Sequence, residues 1–112
     1  MTLKYFPGKQ EIYEARYNVQ DYPIVDGTLT KTELLPGGAT RGHAHRWAEV
    51  YFVAVGEGVL ETKEPGSERP QVHELKPGSV IEVPPQHFHR VLTVTGITFW
   101  GVFLGEREEA KK

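Results

Sequence analysis

The chain contains no cysteine, which removes disulfides, thiolate metal sites and cysteine nucleophiles together. A cytoplasmic location is the expectation that fits. No apolar run is long enough to span a bilayer, and residues 1–8 lack the basic-then-apolar layout of a signal peptide, so no membrane partner is expected. Charge of one sign is also missing: 13 Lys and Arg stand against 15 Asp and Glu, a net charge of −2. Arg41, Arg46, Arg69 and Arg90 are scattered, whereas a nucleic-acid surface needs a basic stripe. The expected partner is a small molecule, not nucleic acid. Helical periodicity is absent over any useful length.

What the chain does have is punctuation. Twelve glycines and eight prolines fall between short apolar runs in 112 residues, a length suited to one domain with one core. The β-prone runs are 28–35, 49–55, 59–63, 71–75, 79–83, 88–95 and 97–104. They are separated by Pro36-Gly37-Gly38, Gly56-Glu57-Gly58, Glu64-Pro65-Gly66-Ser67, Lys76-Pro77-Gly78, Pro84-Pro85 and Gly96. Short strands bounded this regularly predict an all-β sandwich or barrel, not a βα fold. The core barrel is expected over about residues 24–104. Residues 1–23 are left as an N-terminal arm reaching a partner subunit or an edge strand over 11–17, and 105–112 as a charged tail.

Four of the five histidines form two tight pairs, His43 with His45 and His87 with His89. Side chains two apart on an extended strand share a face. Glu49 and Tyr51 keep the parity of His43 and His45 if that strand runs on without a bulge. Two imidazoles and a carboxylate then face one side of a sheet, and a second histidine-bearing strand supplies the ligand still needed. Imidazole nitrogens with one carboxylate suit Fe, Mn, Ni, Cu or Zn better than Mg or Ca. Four protein ligands on an octahedral ion leave two positions for substrate, oxygen or water. His87 has two readings, an acid/base group facing the same pocket or a loop residue in solvent. His73 reads as a surface histidine.

These motifs resemble the cupin superfamily from about Gly37 to Thr93. The family pattern G-x5-H-x-H-x3-E-x6-G is matched by Gly37, His43, His45, Glu49 and Gly56. The second pattern, G-x5-P-x-G-x2-H-x3-N, is matched at Gly78, Pro84 and His89, with Gln86 in place of its glycine and Thr93 in place of its asparagine. The resemblance implies a double-stranded β-helix, or jelly-roll, barrel. It also implies one divalent transition-metal ion held by His43, His45, Glu49 and His89.

Within that superfamily, Thr40-Arg41-Gly42-His43-Ala44-His45, Glu49-Val50-Tyr51 and Val83-Pro84-Pro85 leading to His89-Arg90 resemble segments of the cupin-type sugar-phosphate isomerases. That likeness implies substrate contacts at Thr40, Gly42 and Tyr51, with Glu49 or His87 moving a proton between C1 and C2 of a sugar. A fold of this kind carries unrelated chemistries. A metal-dependent dioxygenase and a non-enzymatic metal- or metabolite-binding module therefore stand beside the isomerase or epimerase reading. A homodimer is also expected, because the apolar run 49–55 reads as a strand buried on both faces.

Overall fold

The computed structural model describes residues 5–105; the expected charged tail, apart from Gly105, lies outside them. The described residues form nine strands and no helix: β1 (Lys9–Glu14), β2 (Tyr17–Ile24), β3 (Gly27–Leu34), β4 (Glu49–Gly56), β5 (Gly58–Lys63), β6 (Gln71–Leu75), β7 (Val80–Val83), β8 (Phe88–Leu92) and β9 (Ile97–Phe103). They make a six-stranded sheet in the order β1-β2-β3-β9-β4-β7 and a three-stranded sheet in the order β6-β5-β8. Every pairing is antiparallel. This is the all-β jelly-roll expected from the sequence.

The core lies between the sheets. Tyr17, Val19, Leu34, Tyr51, Val53, Val83, Ile97 and Phe99 come from the larger sheet, and Leu60, Leu75 and Val91 from the smaller. Alternation along each strand puts them there: β4 and β9 bury every second residue over most of their length. A register shift between Val53 and Val55 ends the alternation in β4. Gly56, at φ 85°, then turns the chain where a side chain would lie 2.2 Å from the Gly96 carbonyl oxygen. Only glycine fits both the backbone angle and the gap.

All seven strands expected from punctuation form. Of the N-terminal segment, residues 9–24 form strands. They make β1 and β2, and β2 carries Tyr17 and Val19 into the core, so packed structure starts before residue 24. β1 is a true edge strand, its pairing shifted between Gln10 and Ile12 and its charges at Lys9, Glu11 and Glu14. Bulges and charges of that kind discourage pairing with another chain. Pro23 is tolerated inside β2 because β1 has already ended: its first residue, Lys9, pairs with Asp21.

The run 49–55 is not buried on both faces of the single chain. Val50 and Phe52 project outward and are exposed, as period-two geometry requires once Glu49, Tyr51 and Val53 point inward. Val55 is exposed because the register shift after Val53 breaks that alternation.

Candidate metal centre

The ligand residues predicted from the sequence converge, although by a route other than one continuous strand. Glu49 opens β4 on the inner face of the larger sheet and is 3% exposed. His89 points inward from β8 of the smaller sheet and is 2% exposed. The segment joining β3 to β4 carries His43 and His45 along the free side of β8. There the His43 N–H donates to the His89 carbonyl at 3.2 Å and the His89 N–H donates back at 2.9 Å. The Gln86 N–H donates to the His45 carbonyl at 2.7 Å, which ties the same segment to the turn before β8. A bend at Arg46 and Trp47 then carries the chain across to β4.

One ligand atom from each of His43, His45, Glu49 and His89 lies within 4.8 Å of the others. The imidazole centroids stand 4.4–5.0 Å apart.

Hydrogen bonding fixes what these rings offer. Nδ1 of His45 lies 2.8 Å from the Trp47 carbonyl and Nδ1 of His89 lies 3.0 Å from the His87 carbonyl. A carbonyl only accepts, so each Nδ1 carries the proton and, in a neutral ring, each Nε2 is a bare lone pair. Those lone pairs face Glu49 Oε1, at 3.2 Å from His45 and 3.5 Å from His89. His89 Nε2 is buried without a hydrogen-bond partner. Acceptors facing acceptors among buried groups repel unless a proton or a metal ion sits between them. The donor set therefore fits a divalent transition metal, with imidazole nitrogens oriented by backbone carbonyls in the manner usual for metal-binding histidines.

Burial alone pushes the Glu49 carboxyl up. His45 and His89, when each carries a proton on Nε2 in place of a metal ion, donate to the carboxylate and attract it, which outweighs burial and holds the group down at about 2. The Tyr51 hydroxyl donates to Glu49 Oε1 at 3.0 Å, so the carboxylate is both ionised and fixed in orientation.

The remaining expected site residues divide. Tyr51 reaches the centre through Glu49. The Thr40 hydroxyl accepts from the Val91 N–H at 2.9 Å and so helps dock the histidine segment on β8. Gly42, at φ 83°, lies where a Cβ would meet the Phe88 ring at 2.7 Å. His87 sits on the turn entering β8, its Nδ1 3.1 Å from the Pro85 carbonyl, outside the four-ligand group.

His73 departs from the surface reading. It pairs in register with the fully buried Leu60, and its Nε2 lies 3.3 Å from the Thr62 hydroxyl, on the residue that faces His89 across the sheet. The sequence signal was available: His73 is two residues from Leu75 and shares its inward parity.

The family model for the cupin domain matches residues 30–97, more than half the chain. The chain is a cupin. It is similar to the glucose-6-phosphate isomerase of Thermococcus litoralis, at 32% identity over 94 residues, 76% of this cupin and 49% of that enzyme. It thus spans about half the length of that relative. Among solved structures, the oxalate decarboxylase of Bacillus subtilis matches with a TM-score of 0.81 and 15% identity, over 98% of this cupin and 32% of that chain. The capsular polysaccharide assembling protein CapF of Staphylococcus aureus matches at 0.76 and 15%, over 91% and 32%. At those identities the solved structures speak for the fold alone. No helix among the described residues is long and apolar enough to cross a membrane.

Proposed function

We propose that this cupin is a metal-dependent isomerase or epimerase of a sugar or sugar phosphate. The observation that supports this reading is the cluster of His43, His45, Glu49 and His89, whose ligand atoms lie close enough together to hold one metal ion. Its support for a sugar substrate is the similarity to the Thermococcus isomerase. These four residues would hold a divalent ion, which would supply polarisation of neighbouring oxygens on C1 and C2 of a bound sugar. Manganese is one candidate, since the similar Bacillus oxalate decarboxylase has Mn(II) centres.

Aldose–ketose isomerisation moves one proton from C2 to C1 and another between the attached oxygens, with no change in composition. The chain must therefore supply a proton carrier. Glu49, held at about 2, is a weak base and serves better as a ligand. His87, two residues before His89, is the better proton carrier. Thr40, Gly42 and Tyr51 flank the ligands and are the proposed substrate contacts. A homodimer formed through the outward face of β4, and a cytoplasmic location, complete the reading.

The test is metal analysis of protein purified without added metal, followed by assays of glucose 6-phosphate isomerisation and of oxygen uptake. Isomerisation lost in His45→Ala is the expected result. Isomerisation that continues in His45→Ala overturns the metal mechanism. Oxygen consumption without isomerisation makes the protein a dioxygenase instead, and metabolite binding without turnover makes it a binding module.

A further inference from the structure

The inner face of β9 reads Ile97, Phe99, Gly101, Phe103, all buried. Three large side chains and one absent side chain line a central strand, and the gap lies against the ligand cluster. Gly101 pairs with Thr30 on one side and Tyr51 on the other. A Cβ at Gly101 would lie 2.6 Å from Glu49 Oε2, 2.9 Å from Tyr51 Cε1 and 3.0 Å from Thr30 Cγ2.

Backbone geometry does not explain this glycine. It is not among the positive-φ residues, so alanine is allowed there, and alanine is the more stable choice within a strand. What the glycine provides is space, and the Glu49 carboxylate occupies it. Oε1 receives the Tyr51 hydroxyl and faces His45 and His89, while Oε2 rests over the bare Gly101 backbone.

We propose that Gly101 is a positioning residue for the metal centre: its missing side chain sets the depth and rotation at which Glu49 presents a carboxylate oxygen to the ion. This rests on the metal reading given above. Thr30 and Tyr51 belong to the strands flanking Gly101, whose register is set on both sides of β9. The carboxylate end of Glu49 is the most displaceable of the three contacts, so an added methyl group is relieved chiefly by turning it. Glu49 then keeps its charge but loses its angle.

The experiment titrates metal-free wild type and Gly101→Ala with Co(II), reading both the dissociation constant and the visible absorption that reports coordination geometry. Thermal unfolding of the metal-free proteins is measured alongside. The expected result is Co(II) binding about 10- to 100-fold weaker in Gly101→Ala, the range typical of altered ligand orientation. Its absorption band should change while the metal-free fold is retained. Should Gly101→Ala fail to fold, the pair Thr30→Ser with Gly101→Ala removes the Cγ2 contact, keeps the hydroxyl and leaves the carboxylate contact in place; its affinity should be equally low.

Affinity and spectrum matching wild type overturn the proposal while leaving the metal centre intact. Unfolding of both variants overturns it too, since the glycine then serves packing. Wild type that binds no Co(II) removes the metal reading and this proposal with it.

Discussion

Replacing Glu49 by glutamine keeps the size of the side chain and removes its charge, so its packing over Gly101 is preserved. In the folded chain this carboxyl is held at about 2 against an ordinary 4.5. At roughly 1.36 kcal/mol per pH unit, that gap amounts to about 3 kcal/mol of stability. The folded value is the lower one, so the contribution is complete above pH 4.5 and is lost as the pH falls from there toward 2. Through that window the unfolded chain binds the proton and the folded chain does not, so stability rises with pH.

Urea unfolding of wild type and Glu49→Gln in a chelator, followed by the fluorescence of Trp47 and Trp100 at several pH values between 3 and 7, isolates the term. The difference between the two proteins should approach about 3 kcal/mol at neutral pH and shrink steadily below pH 4.5. A difference that stays constant across the range refutes the claim that His45 and His89 hold this carboxyl ionised.

Saturating metal at about 100 times its Kd should stabilise wild type by about 2.7 kcal/mol, a rise in Tm of roughly 10 °C for a domain of this size. His89→Ala should show no rise; a retained shift places the metal elsewhere. Gln86 stands where the family pattern has glycine and still adopts φ 65°. Gln86→Gly should therefore stabilise the protein by about 0.5–1 kcal/mol, net of the entropy glycine adds to the unfolded chain. A loss of stability on thermal unfolding contradicts this. Phe52 is 46% exposed on the outward face of the larger sheet beside Val80, and Phe52→Lys should convert a dimeric wild type to monomer on gel filtration. Wild type that elutes as a monomer at micromolar concentration removes the dimer.

The cluster of His43, His45, Glu49 and His89 was legible because it consists of uncommon residues at fixed separations, and the barrel strands because glycine and proline mark their ends. β2 was not legible because its inward residues include Asp21, a polar group where period-two alternation leads one to expect an apolar one. β3 has the same kind of inner face, with Thr28, Thr30 and Thr32 facing in while Leu29 faces out, and was legible only from its β-branched residues and the Pro36-Gly37-Gly38 turn that follows it. An inner face that must line a polar centre loses the hydrophobic signature by which strands are recognised. Gly101 was hidden for another reason: a glycine in a strand reads as weakness, and its value lies in an oxygen atom from a different strand.

Half of the ligand group hangs on the connection between β3 and β4, which belongs to neither sheet, while Glu49 comes from one sheet and His89 from the other. An ion seated there would act as a rivet through both walls of the barrel. Prying the walls apart would empty the centre, and emptying it would loosen the walls. Hydrogen exchange along β8 and residues 40–45 should then slow on metal loading more than exchange in β1 or β6, so that occupancy can be read from backbone protection before any substrate is known.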